Sequence, residues 1–216
     1  MTPLAKQIIS NGQANLVLNE RQLARVLGGS DDRRYGQVNR ALKKGELVRV
    51  KRGLYILADK FRDNPVHRFA LAQQILPGSY ISAESALSYH GWIPEAVRSV
   101  LSITVRRKSV SYDHNTLGKF EFKRITVKPG YFLQAVNRHE LQHQVALIAE
   151  PMRALLDLVY LRKLHWQGLS YLLDGLRIDE QAIRAVPSLS ITKLFDVYKG
   201  KREKEFIEEL LRCLGL

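Results

Sequence analysis

The sequence predicts an α+β protein in two parts, a small helical region with a hairpin and then a larger region of strands followed by helices. Three observations carry this. Asn19 to Leu57 reads as helix, turn, basic helix and short hairpin. Alternating strand patterns recur between Tyr80 and Ala149, and from Glu150 onward the apolar residues fall at helical spacing. A chain of 216 residues with 45% hydrophobic content can bury two modest cores, so a break is expected near Lys60, dividing residues 1–60 from residues 61–216.

In the first part, Asn19 is a good N-cap, Glu20 suits the positive end of a helix dipole, and Leu23, Val26 and Leu27 mark one helix face. Gly28–Gly29 ends that helix, and Ser30, Asp31 and Asp32 open the next. There Tyr35, Val38 and Leu42, with Ala41 beside them, form an apolar stripe, and Arg33, Gln37, Arg40 and Lys44 form the opposite one. Gly45 stops the helix. Leu47–Val50 and Leu54–Leu57 then read as two strands joined by Lys51, Arg52 and Gly53. This order is that of a winged helix-turn-helix, in which a helix enters the DNA major groove and a basic wing holds flanking phosphates.

The presented side chains suit that partner. Arginine can bridge O6 and N7 of guanine, and glutamine N6 and N7 of adenine, so Arg33, Gln37 and Arg40 are the expected base readers. Lys43, Lys44, Arg49, Lys51 and Arg52 are expected on phosphates, and Arg34 completes the expected DNA-binding set. The charge distribution agrees. The formal net charge is +13; residues 1–60 hold 12 Lys+Arg against 5 Asp+Glu, or +7, and residues 61–216 hold 22 against 16, or +6. More than half the excess therefore lies in the first 60 of 216 residues, as an electrostatic footprint for a polyanion requires.

Other classes find little support. A single cysteine, Cys213, excludes an intramolecular disulfide and a multi-cysteine zinc site, and it is expected to pack within the last helix. No apolar run is long enough for a membrane span, and Lys6, Gln7 and Asn11 interrupt the N-terminus, so a cytoplasmic protein without a membrane partner is expected. His139-Glu140-Leu141-Gln142-His143 has the H-E-x-x-H spacing that, on a helix, places two histidines on zinc with glutamate as base. Its flanks, Asn137, Arg138 and Gln144, are polar, and Val145–Ile148 reads as a strand, which leaves the motif in a connector without a third ligand. No glycine-rich phosphate loop and no nucleophile elbow are present. No enzyme, metal or cofactor is expected.

In the second part, Asn64–Pro65 reads as a cap and first turn of a helix running to about Leu76, which Pro77–Gly78 stops. Tyr80–Ile81 is a short strand, and Ser82 caps a helix that Gly91 ends. Leu101, Ile103 and Val105 alternate with Ser102, Thr104 and Arg106, and Phe120 and Phe122 with charged neighbours, each a strand with one wet face. Tyr131–Val136 and Val145–Ala149 add two strands, and helices are expected at 151–164, 169–173, 181–186, 191–198 and 203–214. Arg106, Arg107 and Lys108, joined by Lys119, Lys123, Arg124 and Lys128, form a second basic patch that could touch DNA. His90–Gly91 is read as a helix end.

Four motifs together carry a resemblance: the Leu47–Tyr55 wing; Tyr80-Ile81-Ser82 with Ser85-Ala86-Leu87, His90-Gly91 and Ile93-Pro94; Thr104-Val105-Arg106-Arg107; and Pro151 with Ala154-Leu155-Leu156-Asp157. In this order the chain resembles, over roughly residues 15–200, the AbiEi-type antitoxins of type IV toxin–antitoxin (abortive infection) pairs. Met152–Arg153 departs from the Glu-Lys often found there, and no side-chain role is assigned to it. The resemblance implies a repressor of its own operon, binding an inverted-repeat operator, whose C-terminal domain counteracts a nucleotidyltransferase-like toxin. The other reading of the residues is a winged-helix regulator whose second domain senses a ligand or protein unrelated to a toxin.

Overall fold

Thr2 and Pro3 start a helix, α1 (Pro3–Ser10), that periodicity alone does not announce. The Thr2 hydroxyl accepts Ala5 N at 3.3 Å, and Pro3 takes the first turn, where a missing N–H costs nothing. Leu4, Ala5 and Ile8 are fully buried. The computed structural model describes residues 1–215, and the chain divides into two compact units, Met1–Ile75 and Leu76–Leu216.

The first unit continues through β1 (Leu18–Asn19), α2 (Glu20–Leu27), α3 (Asp31–Lys43), β2 (Leu47–Lys51), β3 (Leu54–Leu57) and α4 (Arg68–Ile75). Its antiparallel sheet runs β1-β3-β2, and Leu4, Ile8, Leu18, Leu23, Val38 and Ala41 share its core. The α1-β1-α2-α3-β2-β3 order is that of a winged helix. Asn19 caps α2 as expected: its side chain accepts Gln22 N at 2.9 Å while the Gln22 side chain accepts Asn19 N at 2.8 Å. Asn19→Ala should cost about 1 kcal/mol in urea unfolding, with Asn19→Asp retaining most of it.

Helix α4 begins at Arg68, not at Asn64–Pro65. The intervening chain is tied down instead: Asp63 N and Asn64 N donate to Asn15 Oδ1 at 3.0 and 3.3 Å, and Arg62 Nη2 donates to Asn15 O at 3.1 Å. These bonds hold the connector to the loop before β1, so the division falls after Ile75 instead of near Lys60.

The second unit is a six-stranded mixed sheet with helices. Its strands are β4 (Tyr80–Ile81), β5 (Ser99–Thr104), β6 (Val110–His114), β7 (Gly118–Arg124), β8 (Val136–Leu141) and β9 (Gln144–Ala149), in the order β6-β7-β5-β4-β9-β8. Between β4 and β5 lies α5 (Ala83–Tyr89); after the sheet come α6 (Pro151–Arg162), a π-helical turn at Tyr171–Gly175, α7 (Glu180–Arg184), α8 (Ser188–Thr192) and α9 (Lys201–Leu214). Strands thus precede helices as expected, α5 excepted. β5 lacks the expected wet face: it pairs with β4 on one side and β7 on the other, and Ser102 and Thr104 are as buried as Ile103. Residues 132–135 form a turn where a strand is expected, and the strand begins only at Val136. Cys213 is exposed; Leu210 is the last buried residue of α9. Among the described residues, no helix is long and apolar enough to cross a membrane.

A buried polar cluster joins these layers. Arg153, fully buried on α6, donates Nε–H to Asp157 Oδ1 at 3.1 Å. Its Nη1 reaches Gln134 O at 2.7 Å and Tyr131 O at 3.4 Å, and its Nη2 reaches Tyr80 Oη at 2.5 Å and Phe132 O at 3.3 Å. Asp157 also accepts from Tyr198 at 2.7 Å, Tyr80 at 2.9 Å and Ser82 at 2.7 Å. All five guanidinium donors and the four acceptor positions of the carboxylate are used. Ser82 therefore spends its hydroxyl on Asp157 and does not cap α5 with it. Burial pulls the guanidinium toward neutrality, but Asp157, Tyr198 and Tyr80 outweigh it and hold Arg153 more firmly protonated than usual.

Candidate nucleic-acid interface

Helix α3 carries most of the residues expected to meet DNA. Val38 and Ala41 turn inward, 8% and 1% exposed, with Leu42 packed beside them. Arg33, Gly36, Arg40 and Lys43 recur at the spacing of the opposite face, and the three cations among them are exposed. Lys44, which closes the helix, is exposed too. Ser30 and the acids Asp31 and Asp32 open the helix as expected, although Ser30 makes no side-chain cap bond.

Two residues sit otherwise than their spacing suggests. Tyr35 is 70% exposed and does not join the packing stripe. Gln37 lies on the flank of the helix, half-buried, with its Oε1 shielded from solvent and without a hydrogen-bond partner. Oε1, one of the two groups a bidentate contact to adenine would use, is therefore not presented to solvent. The helical period explains both: residues 35 and 37 fall about a quarter-turn to either side of the Val38–Ala41 axis, so neither centres on a face. Arg34 is also committed locally, its guanidinium clamping the Gly29 carbonyl and the Asp31 carboxylate. With Glu20, Tyr35, Val38 and Tyr55 it lines a cleft of about 330 Å³.

The wing is short. Lys51 pairs with Leu54 across an Arg52–Gly53 turn, and Val50 is the extra residue of a bulge. Gly53 has φ +77°, so this turn needs glycine for its backbone; a Cβ there would lie 3.3 Å from Glu20 Oε1, which would have to give by a few tenths of an ångström. Arg52 is exposed at the tip. Arg49 is exposed and stands over the Tyr55 ring, 5.9 Å from its centroid. Lys51 is half-buried, and its Nζ donates to the Ile75 carbonyl at 2.5 Å. It thus closes the last turn of α4, where a cation suits the negative helix end, and is withdrawn from the phosphate role expected of it. Two further cations, Arg21 and Arg25, stand exposed on α2. Their i, i+4 spacing, visible in the sequence, puts them on one face of that helix.

Glycine at position 36 stands out on this face. It costs a helix roughly 0.5–1 kcal/mol relative to alanine. Unlike Gly53 it has no left-handed backbone, and a Cβ built on it would meet nothing within 4 Å.

The second basic patch divides in two. Lys119 and Lys123 flank Glu121 on β7, at 2.6 and 3.2 Å, and Lys128 pairs with Asp196 at 2.5 Å. The Glu121 carboxyl is held below its ordinary range, first by the Lys119 hydrogen bond and then, against burial, by Lys123. Arg106, Arg107 and Lys108 are exposed in the β5–β6 turn, and Arg124 lies at the end of β7 beside it, its N–H donating to Ser109 Oγ at 3.1 Å.

The H-E-x-x-H residues lie on a β-hairpin. His139, Glu140 and Leu141 end β8, and Gln142 and His143 form its turn with φ of 50° and 64°. This stretch is strand where a connector is expected, and a strand places the two histidines without the shared helical face that zinc ligation by this motif requires. Among the described residues no group of three or more His, Cys, Asp or Glu could hold a metal. His139 instead stacks edge-on with His90, and His90 Nε2 contacts the Ala149 carbonyl at 3.0 Å. His90 closes α5, as expected, with Gly91 following.

In the second unit a cavity of about 470 Å³ has Leu87, Ile93, Leu101 and Leu158 in its lining, with the ion pairs Arg162–Glu84 and Arg177–Glu95 at its edge.

No family model matches the chain, and no curated protein matches it. Among solved structures, the crystal structure of RV2827C protein from Mycobacterium tuberculosis is similar, with a TM-score of 0.63 and 15% sequence identity. The match covers 100% of this chain and 78% of that one. At this identity the likeness concerns the fold.

Proposed function

We propose that this protein is a cytoplasmic, non-enzymatic repressor that binds double-stranded DNA and serves as the antitoxin of a type IV pair. The observation that carries the DNA-binding half is the bare face of α3, with Arg33, Arg40 and Lys43 exposed in the helix that a winged fold offers to the major groove. Arg52, at the wing tip, supplies a phosphate contact. The antitoxin half, including control of its own operon and opposition to a nucleotidyltransferase-like toxin, rests on the motif resemblance.

The test is a salt series on two duplexes, the region immediately upstream of its own reading frame and a shuffled duplex of equal composition. Tighter binding to the first is expected. Arg52→Ala should lower the magnitude of the log–log salt slope by about one on both. Lys51→Ala should leave that slope unchanged and lower stability instead, because its ammonium serves the end of α4. Equal affinity for the two duplexes would end the repressor reading. For the antitoxin half, co-expression of the full chain with an adjacent nucleotidyltransferase-like gene should restore growth; failure of the folded protein to do so removes it.

The cavity beside Leu87 and Leu158 favours a second reading, a regulator that senses a small ligand. That reading requires operator affinity to change with a ligand and no toxin to be encoded nearby.

A further inference from the structure

We propose that Gly36 is the point where α3 comes closest to the floor of the DNA groove, a patch of bare backbone that sets how deeply the helix seats. This rests on the DNA-binding reading above. Nothing within the chain calls for glycine at this position. Its backbone is helical and right-handed, no neighbour lies within 4 Å of an added Cβ, and the position is interior to a thirteen-residue helix. The contrast with Gly53 is direct, since there a left-handed φ disfavours any side chain. A residue that weakens its own helix and relieves no internal crowding makes sense if an external surface occupies the space.

The position identifies that surface. Arg33 lies three residues before Gly36 and Arg40 four after, so both share its face of the helix; Arg40 Nε donates to the Gly36 carbonyl at 3.2 Å, and the Arg33 side chain runs back toward Gly29. A helix with its side chains is about 10–12 Å across and the major groove about 12 Å wide, so the fit leaves little slack. A methyl group at the innermost point would lift the helix by about 1.5 Å, the length of a carbon–carbon bond. Hydrogen bonds from arginine to base edges tolerate only a few tenths of an ångström beyond their usual length. Phosphate contacts by flexible side chains at the rim can follow such a shift. Base reading should therefore suffer, and backbone binding should not.

Gly36→Ala and Gly36→Leu, made in the full chain, test this. Thermal unfolding is followed alongside affinity for the upstream duplex and the shuffled duplex at fixed salt. The expected result is a melting temperature equal to or a few degrees above wild type, with affinity for the upstream duplex down at least tenfold for alanine and further for leucine. Affinity for the shuffled duplex should stay within about twofold, as phosphate contacts carry no sequence. Arg33→Ala and Arg40→Ala are measured in parallel. If they weaken the upstream complex while Gly36→Leu binds as wild type does, the seating role is wrong and the DNA-binding reading stands. If the arginine variants bind both duplexes unchanged, the reading itself is wrong.

Discussion

Arg153→Met is expected to lower the unfolding free energy by about 3–5 kcal/mol, because it leaves the Asp157 charge buried and unpaired. The same change strips donors from the carbonyls of Tyr131, Phe132 and Gln134. Methionine fills much of the volume, so the loss reports polar imbalance and not a cavity. Urea unfolding of the full chain should show a midpoint lower by about 2 M, given a typical slope near 2 kcal/mol per molar. Asp157→Leu alone should be comparably damaging, since it strands the guanidinium. The double variant Arg153→Met/Asp157→Leu should recover a good part of the sum, which a double-mutant cycle reads directly. A loss below about 1 kcal/mol for Arg153→Met would contradict the closed geometry of the cluster.

The same cluster sets an alkaline limit. Burial first, and then the Asp157 charge, push the Tyr80 and Tyr198 phenols well above their ordinary value of 10.0, against the pull of Arg153. Below that value both are protonated whether the chain is folded or not, and their contribution is fully present. As pH rises past it, the unfolded chain loses protons that the folded chain keeps, so stability falls by up to about 1.4 kcal/mol per unit for each tyrosine. Tyr198→Phe should flatten that decline above pH 10, whatever it costs at neutrality.

The larger functional effect belongs to α3. Removing both Arg33 and Arg40 should reduce affinity for the upstream duplex by roughly 10²–10³-fold, since each bidentate base contact is worth about 1–3 kcal/mol and tenfold corresponds to about 1.4 kcal/mol. The shuffled duplex should lose much less, only what two cations contribute to general attraction. Gln37→Ala should do little by comparison, because its amide carbonyl is turned away from solvent. A large, duplex-specific loss from Gln37→Ala would instead mean that the side chain swings out on binding. Circular dichroism on each variant separates lost contacts from lost helix.

The first unit is largely legible from residue types. Asn19, Gly28–Gly29, Ser30 and Gly45 punctuate two helices, and the alternation around Arg52–Gly53 reads as a hairpin, because each signal acts within a few residues. What escapes is set at longer range. The burial of Ser102 and Thr104 depends on strands that pair on both sides of β5, which no local pattern encodes. Lys51 looks like any wing cation until α4 delivers its last carbonyl beside it. Gln37 belongs to the cationic stripe by i, i+4 counting, but the true period of 3.6 carries it off the centre of that face. Arg153 is hidden most completely: nothing in its own helix marks it, and apart from Asp157 its partners are the Tyr80 hydroxyl and the carbonyls of Tyr131, Phe132 and Gln134, all distant in sequence.

A set of side chains that satisfies itself so fully cannot drift one member at a time. Any single replacement among Tyr80, Ser82, Arg153, Asp157 and Tyr198 passes through an intermediate with a stranded donor or charge, and descent through such intermediates is slow. Related chains should therefore hold the five as a block or have exchanged them together, Arg153 travelling with Asp157 most strictly of all. The exposed cations of α3 and the wing are under no such bond to one another. If the proposed DNA-binding role holds, they can change singly as the bound sequence changes, and lineages that part over their DNA should still share the cluster around Asp157.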